Sequence, residues 1–370
     1  MRTRLILLVV AETVLLQGCA HAPPADFAPD PSLVGQIRAI RIIPGSGGGC
    51  PGATIPAKYE AVLDDGSRVP FARSYEKTHP PRLHVVFLDR KSPDAVSREN
   101  GDWVTEPDPL ATASTGFRLS ATLRSKPSVT STVVVPPNYA CMPHTFAFWG
   151  APGGLGGTRG FAGPDVTIRL AMLRSPFYDK LYVAGIQVGT APPRYVLGDA
   201  SSVPPAHWLT VDSQGGEGGA GLAGTDGMDG APGAPGCPGQ AGFPGWSGSD
   251  GRAGGDGGSG GRITIVVPED RPLLANLVDG RSWGGTGGSG GSGGKGGRGG
   301  MGGQGLFDAN NQPCAGGTDG VSGHDGATGL SGGPGAPGLR SIVVAHPKDL
   351  FDAQAPPGLA GLLERPQREP

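Results

Sequence analysis

From residue 36 onward, apolar and polar positions alternate in short stretches, and this period of two predicts strands rather than helices. Such stretches occupy 36–43, 59–63, 83–88, 117–123 and 131–135, the second running into the turn Asp64-Asp65-Gly66. Polar turns separate them at intervals typical of a β-sandwich. Helical periodicity is missing, so 34–139 is expected to be one all-β domain.

A different pattern takes over after residue 140. Glycine recurs at every third position from Gly215 to Gly260, from Gly284 to Gly305 and from Gly317 to Gly338, which makes 16, 8 and 8 triplets. A broken echo occurs at Gly150, Gly153, Gly156, Gly160 and Gly163. Period three is that of a left-handed extended helix, which has three residues per turn and no internal hydrogen bonds. Its N–H and C=O groups must find partners on neighbouring helices. These runs resemble the Gly-X-Y repeats of bacterial collagen-like proteins, which form trimeric triple helices. The alternative is a bundle of such helices within one chain, as in polyglycine-II proteins. The 96 residues of the three runs hold six prolines, and the second run holds none. Collagen normally carries at least about 15 per cent imino acid, so the intrachain bundle is the preferred reading.

Run length agrees with a bundle. Folded at its midpoint, the first run gives two 24-residue helices that match the other two, each ~74 Å long at ~3.1 Å per residue. The fold-back falls on Gly236-Cys237-Pro238. In the Gly-Gly-X second run, Thr286, Ser289, Ser292, Lys295, Arg298, Met301 and Gln304 fall on a single face, expected to meet solvent. Each glycine run is followed by a β-like stretch, at 166–170, 263–267 and 341–345, which suggests a small sheet at the base of the bundle. Further strands are expected at 182–188 and 208–211. The tail 346–370 is Pro-rich and is expected to be disordered.

The N-terminus reads as a leader. Arg2 and Arg4 precede an apolar run too short to span a bilayer, which ends in Leu16-Gln17-Gly18-Cys19. This segment resembles the bacterial lipobox. The resemblance implies a signal peptide at 1–18, lipidation of Cys19, and, with Ala20 next, an outer-membrane lipoprotein. Residues 19–33 read as a Pro-rich tether.

Within 34–139 the order Asp65-Gly66-Ser67, Ser92-Pro93-Asp94-Ala95-Val96, Gly101-Asp102-Trp103 and Ser120-Ala121-Thr122-Leu123 resembles bacterial Ig-like domains of surface proteins. That implies a stalk or binding platform, and no particular ligand. With Cys19 lipidated, Cys50, Cys141, Cys237 and Cys314 remain, an even number in an oxidising compartment. Position suggests Cys50–Cys141 between the first and last strand regions of the sandwich. It suggests Cys237–Cys314 at one end of the bundle.

Net charge is −2, so neither a nucleic-acid footprint nor a polybasic membrane patch is expected. The seven histidines show no metal-ligand spacing, and no hydrolase or zincin motif occurs. No catalytic residue, metal or cofactor is expected. Asp226, Asp229, Asp250, Asp256, Asp319 and Asp325 end glycine triplets; calcium-binding Gly-Asp repeats have another period, so these are expected to be solvated. Phe243 and Trp246 are expected to point outward, docked on the β domain or forming an adhesive patch. The sequence therefore reads as a non-enzymatic, lipid-anchored surface protein with a structural or adhesive role and a protein or polysaccharide ligand. It is expected to be a monomer, or a homotrimer if collagen-like. An ice-binding polyglycine-II protein is the second reading, a hydrolase on a β platform the third.

Overall fold

The computed structural model describes residues 23–347, 349–351 and 359–363. The leader and Cys19 lie outside the described residues. The chain divides into two compact units, one of residues up to Pro107 together with Thr115–Asn138, the other of Asp108–Ser114 and everything from Tyr139 on. The segment Asp108–Ser114 thus leaves the 34–139 domain of the sequence reading and joins the second unit.

The first unit is built from α1 (Pro31–Gln36), β1 (Ile37–Pro44), β2 (Thr54–Ile55), β3 (Ala57–Leu63), β4 (Arg68–Pro70), β5 (Leu88–Lys91), β6 (Ala95–Ser97), β7 (Trp103–Thr105), β8 (Phe117–Leu123) and β9 (Thr130–Val135). They form three three-stranded sheets, ordered β1-β3-β4, β5-β8-β9 and β2-β7-β6. Alternation on β3 and β8 sends Tyr59, Ala61, Phe117, Leu119 and Ala121 into one apolar core with Ile40, Val85 and Trp103. Inside it the Trp103 indole N–H donates to the Tyr59 hydroxyl, which donates to the Gly101 carbonyl, both at 2.8 Å. Burial pushes the Tyr59 phenol above its ordinary range. Two expectations are corrected here. Residues 31–33 are not tether: Asp30 caps α1 through the Ser32 N–H, and Leu33 is 1 % exposed within the core. The expected strand 83–88 is interrupted by a tight turn, Val85–Phe87, before β5 begins.

The second unit has a β base and a glycine-rich extension. The base contains β10 (Thr145–Trp149), β11 (Val166–Ser175), β12 (Tyr178–Val188), β13 (Arg194–Asp199), β14 (Leu209–Gln214), β15 (Ile263–Pro268), β16 (Val278–Trp283) and β17 (Arg340–Ala345). One sheet is β10-β14-β16, all parallel; the other is β13-β12-β11-β15-β17, in which β11, β15 and β17 are parallel neighbours. The three stretches that follow the glycine runs are therefore adjacent strands of one sheet. Phe146, Val211 and Val278 from the first sheet meet Ile168, Ile186 and Ile265 from the second in a common core. The far face of the five-stranded sheet is covered by Leu110, Tyr139, Leu350 and Leu359. Leu350 and Leu359, the latter in α2 (Leu359–Leu362), are each 1 % exposed. The tail is thus not disordered at these positions.

The glycine runs are extended segments without helix or sheet assignment. Six rods can be traced: rod 1 (150–156), rod 2 (158–163), rod 3 (215–235), rod 4 (239–261), rod 5 (284–305) and rod 6 (317–338). Every long rod is hydrogen-bonded to others at every third residue. Gly218, Gly221 and Gly224 of rod 3 donate to Thr286, Ser289 and Ser292 of rod 5, at 2.8 Å, and the two run parallel. Gly242, Gly245 and Gly248 of rod 4 donate to Thr318, Val321 and His324 of rod 6, again parallel. Phe243, Trp246 and Ser249 of rod 4 donate to Ala231, Met228 and Thr225 of rod 3, antiparallel. Rod 5 donates antiparallel to rod 4, and rod 6 to rod 5. Rods 1, 3 and 5 make one row; rods 2, 4 and 6 make the other. The first row grows out of β10, β14 and β16, and the second runs into β11, β15 and β17. The unit is therefore a threefold repeat of strand, rod, return rod, strand, in which the first pair of rods is short.

Candidate binding surfaces of the rods and their base

In the rods, the physical constraint is the absence of Cβ. A Cβ added to Gly293 would lie less than 3.0 Å from the Gly326 carbonyl, and one on Gly294 less than 3.0 Å from that of Thr225. The same holds along the ladder, so a side chain there would push two backbones apart. In rods 3, 4 and 5 the second glycine of a triplet sits where another part of the chain lies alongside. Gly216 and Gly219 face the carbonyls of Ala151 and Gly154 in rod 1, and Gly255 and Gly258 face Thr158 and Phe161. Beyond the ends of the short rods, the equivalent positions become Leu222, Met228, Trp246 and Phe243, all exposed.

One backbone ladder satisfies only part of each triplet. Several of the remaining N–H groups are capped by side chains from a neighbouring rod. Lys295 N–H donates to Asp226 and Arg298 N–H to Asp229; Gly296 and Gly302 N–H donate to Asp325 and Asp319; Ala327 and Gly333 N–H donate to Asp250 and Asp256, all at 2.7–2.8 Å. Within the triplet 295–297 the third N–H, of Gly297, donates to the Trp246 carbonyl, so all three donors are used. The six aspartates expected to be merely solvated are thus rod-to-rod caps. Their recurrence at the end of triplets was the signal, but the partner rod could not be read from one sequence.

Serines close the junction between rods and base. Ser213, fully buried, donates to Pro164 at 2.6 Å, and Ser282, its register partner, donates to Gly261 at 2.6 Å. At the opposite end Cys237, in the turn between rods 3 and 4, is bonded to Cys314 in the loop after rod 5, with Cα atoms 5.1 Å apart. Cys50 and Cys141 are each disulfide-bonded as well. The outward row Thr286, Ser289, Ser292, Lys295, Arg298, Met301 and Gln304 is exposed along the whole of rod 5.

The described histidines do not assemble a reaction centre. His84 is buried and caps the 85–87 turn by accepting the Val86 N–H; desolvation, then the Arg90 charge, lowers its basicity. His144 packs edge-on to Trp208 and is likewise lowered by burial. Among the described residues there is no group of three or more metal-ligating side chains, and no helix is long and apolar enough to cross a membrane. Two partly open clefts of the base share Met172 and Tyr182.

The outer face of the β10-β14-β16 sheet was missed in the sequence. Register places Trp149, Gln214 and Trp283 side by side, and Ala147, Asp212 and Arg281 one step below. Both tryptophans are exposed, at 67 % and 58 %. The signal was available: Trp149-Gly150 and Trp283-Gly284 each end a strand and begin a rod. The chain matches no protein-family model, no curated protein and no solved structure.

Proposed function

We propose that this protein is a non-enzymatic, lipid-anchored adhesive module of the outer membrane, built on an intrachain bundle of left-handed polyglycine-II helices. The observation that carries the reading is the backbone ladder of the rods. Their cohesion comes from main chain and glycine, so nearly every non-glycine side chain is left on the outside. A fold that uses few side chains for its own core is suited to presenting them, over rods about 70 Å long at ~3.1 Å per residue. Because the ladder closes within one chain, the module is a monomer rather than a collagen trimer. Leu16-Gln17-Gly18-Cys19 supplies the anchor, and acyl chains on Cys19 give stable attachment. The first unit, with its short sheets around one core, serves as the Ig-like platform of the reading. Ice binding is disfavoured because Lys295, Arg298 and Met301 stand exposed in the middle of the most regular face.

The test is on cells. Fatty-acid labelling is expected to mark the wild-type protein and not Cys19→Ala. Cells producing the wild type are expected to adhere to a polysaccharide-coated or cell-coated surface better than cells with a deletion of 140–345. Equal labelling of both proteins removes the anchor from the reading, and equal adhesion removes the adhesive role.

A further inference from the structure

We infer that the outer face of the β10-β14-β16 sheet is a glycan-binding platform for a neutral, extended polysaccharide. The inference rests on the adhesive reading and gives it a ligand class.

The geometry starts from parallel register. Trp149 and Trp283 occupy equivalent positions on the two outer strands, with Gln214 of β14 between them. Two strand spacings separate their backbones, about 10 Å, close to the length of one disaccharide in an extended chain. A pyranose presents C–H groups on one face, which stack on the electron-rich face of an indole. Its hydroxyls point sideways, and the groups that recognise them lie between the tryptophans, at Gln214, and on the rows below on the same face. The Gln214 amide offers donors and an acceptor, Asp212 and Asp279 offer carboxylates, and Arg281 offers a planar fork. Arg281 Nε donates to Asp279 at 2.8 Å, and Asp279, then Asp212, raise the guanidinium's already high pKa. One carboxylate oxygen of Asp212 is shielded from solvent; the residue is half-buried, so its other oxygen is the one that meets a ligand hydroxyl.

The same features select against other partners. A protein hot spot needs a contiguous, desolvated apolar centre, whereas here a polar strand separates the aromatics. Two carboxylates against one guanidinium disfavour a nucleic acid or an acidic polymer. Each strand of the face passes directly into a hydrogen-bonded rod, which restrains it.

Affinity electrophoresis of the lipid-free protein tests this, in native gels containing hydroxyethyl cellulose, glucomannan or, as the acidic contrast, alginate. The wild type is expected to be retarded by a neutral polymer and not by alginate. The Trp149→Ala/Trp283→Ala double variant should lose at least tenfold in affinity. Trp246→Ala, which removes an exposed tryptophan of rod 4, should be retarded like the wild type. Thermal melting should be unchanged in the double variant, since both rings are exposed; if it shifts, Gln214→Ala takes its place and should weaken retardation in the same gels. No retardation in either neutral polymer, retardation by alginate alone, or full retention of binding in the variants would each overturn the assignment. Adhesion of whole cells that persists while these gels show nothing sinks the platform and leaves the adhesive reading standing.

Discussion

The β base and the glycine rods of the second unit have the same chain path and the same parallel neighbours, yet they cohere by opposite means. In the base, alternate side chains such as Val211, Ile265 and Val278 fill a core between two sheets, and burial of apolar area supplies the stability. In the rods no such core exists. Backbones approach until N–H meets C=O, and side chains are excluded from the contact. Glycine is conformationally the most expensive residue to order. It is used here because nothing larger fits. A sheet satisfies every main-chain group with two neighbours; a threefold rod points its groups in three directions and needs more. The extra directions are met by a second row of rods and, at the exposed edge of the contacts, by the aspartate caps.

Three perturbations separate the forces that hold the rods from those that hold the base. The largest effect is expected at the tip, where the Cys237–Cys314 bond closes a loop of 77 residues. In the chain-entropy model its removal costs on the order of 4 kcal/mol. Cys237→Ser/Cys314→Ser should therefore lower the denaturation midpoint markedly, and hydrogen exchange should show rods 3 to 6 opening before the base. If base and rods exchange together, the two do not rest on separable forces. Next is Gly293→Val, whose side chain would strike the Gly326 carbonyl. A penalty of roughly 3 kcal/mol is expected, at the upper end for overpacking. Ser292→Val, one residue away on the outward face, should stay within about 0.5 kcal/mol. Equal melting curves for the pair would mean that the rods are not packed against each other. The smallest effect belongs to the caps. Asp250→Ala should cost about 1 kcal/mol by leaving the Ala327 N–H unpaired, and Asp226→Ala should cost a similar amount at Lys295. Chemical denaturation would resolve both, and a null effect would return these aspartates to the role of solvated surface.

Much of the rod region was legible in the chain itself, because its rule is local. A backbone that must approach another at every third residue requires glycine there, and the requirement shows as an unbroken period. The fold-back at Cys237 could be placed from run length alone. The three returning strands, 166–170, 263–267 and 341–345, could be placed from their β-branched residues. The strands that precede each rod were harder: β10 and β16 carry no run of β-branched residues, and nothing in the sequence reading singled out Trp149 or Trp283. Their outward, side-by-side placement depends on strands 65 to 69 residues apart falling into register.

Where chain may touch chain is written in single positions, since each needs only the absence of a Cβ. The four long rods and the all-β character of the rest follow from that pattern, while rods 1 and 2 showed in it only as a broken echo of the glycine period. Which rod lies beside which emerges only when the chain is packed. That choice turned Asp226 and Asp325 from solvated carboxylates into caps of one triplet, put Leu33 and Leu359 into cores, and drew two distant tryptophans onto one face. Each of these depends on a partner supplied from far along the chain, and a pattern read along one strand holds no record of what will lie across from it.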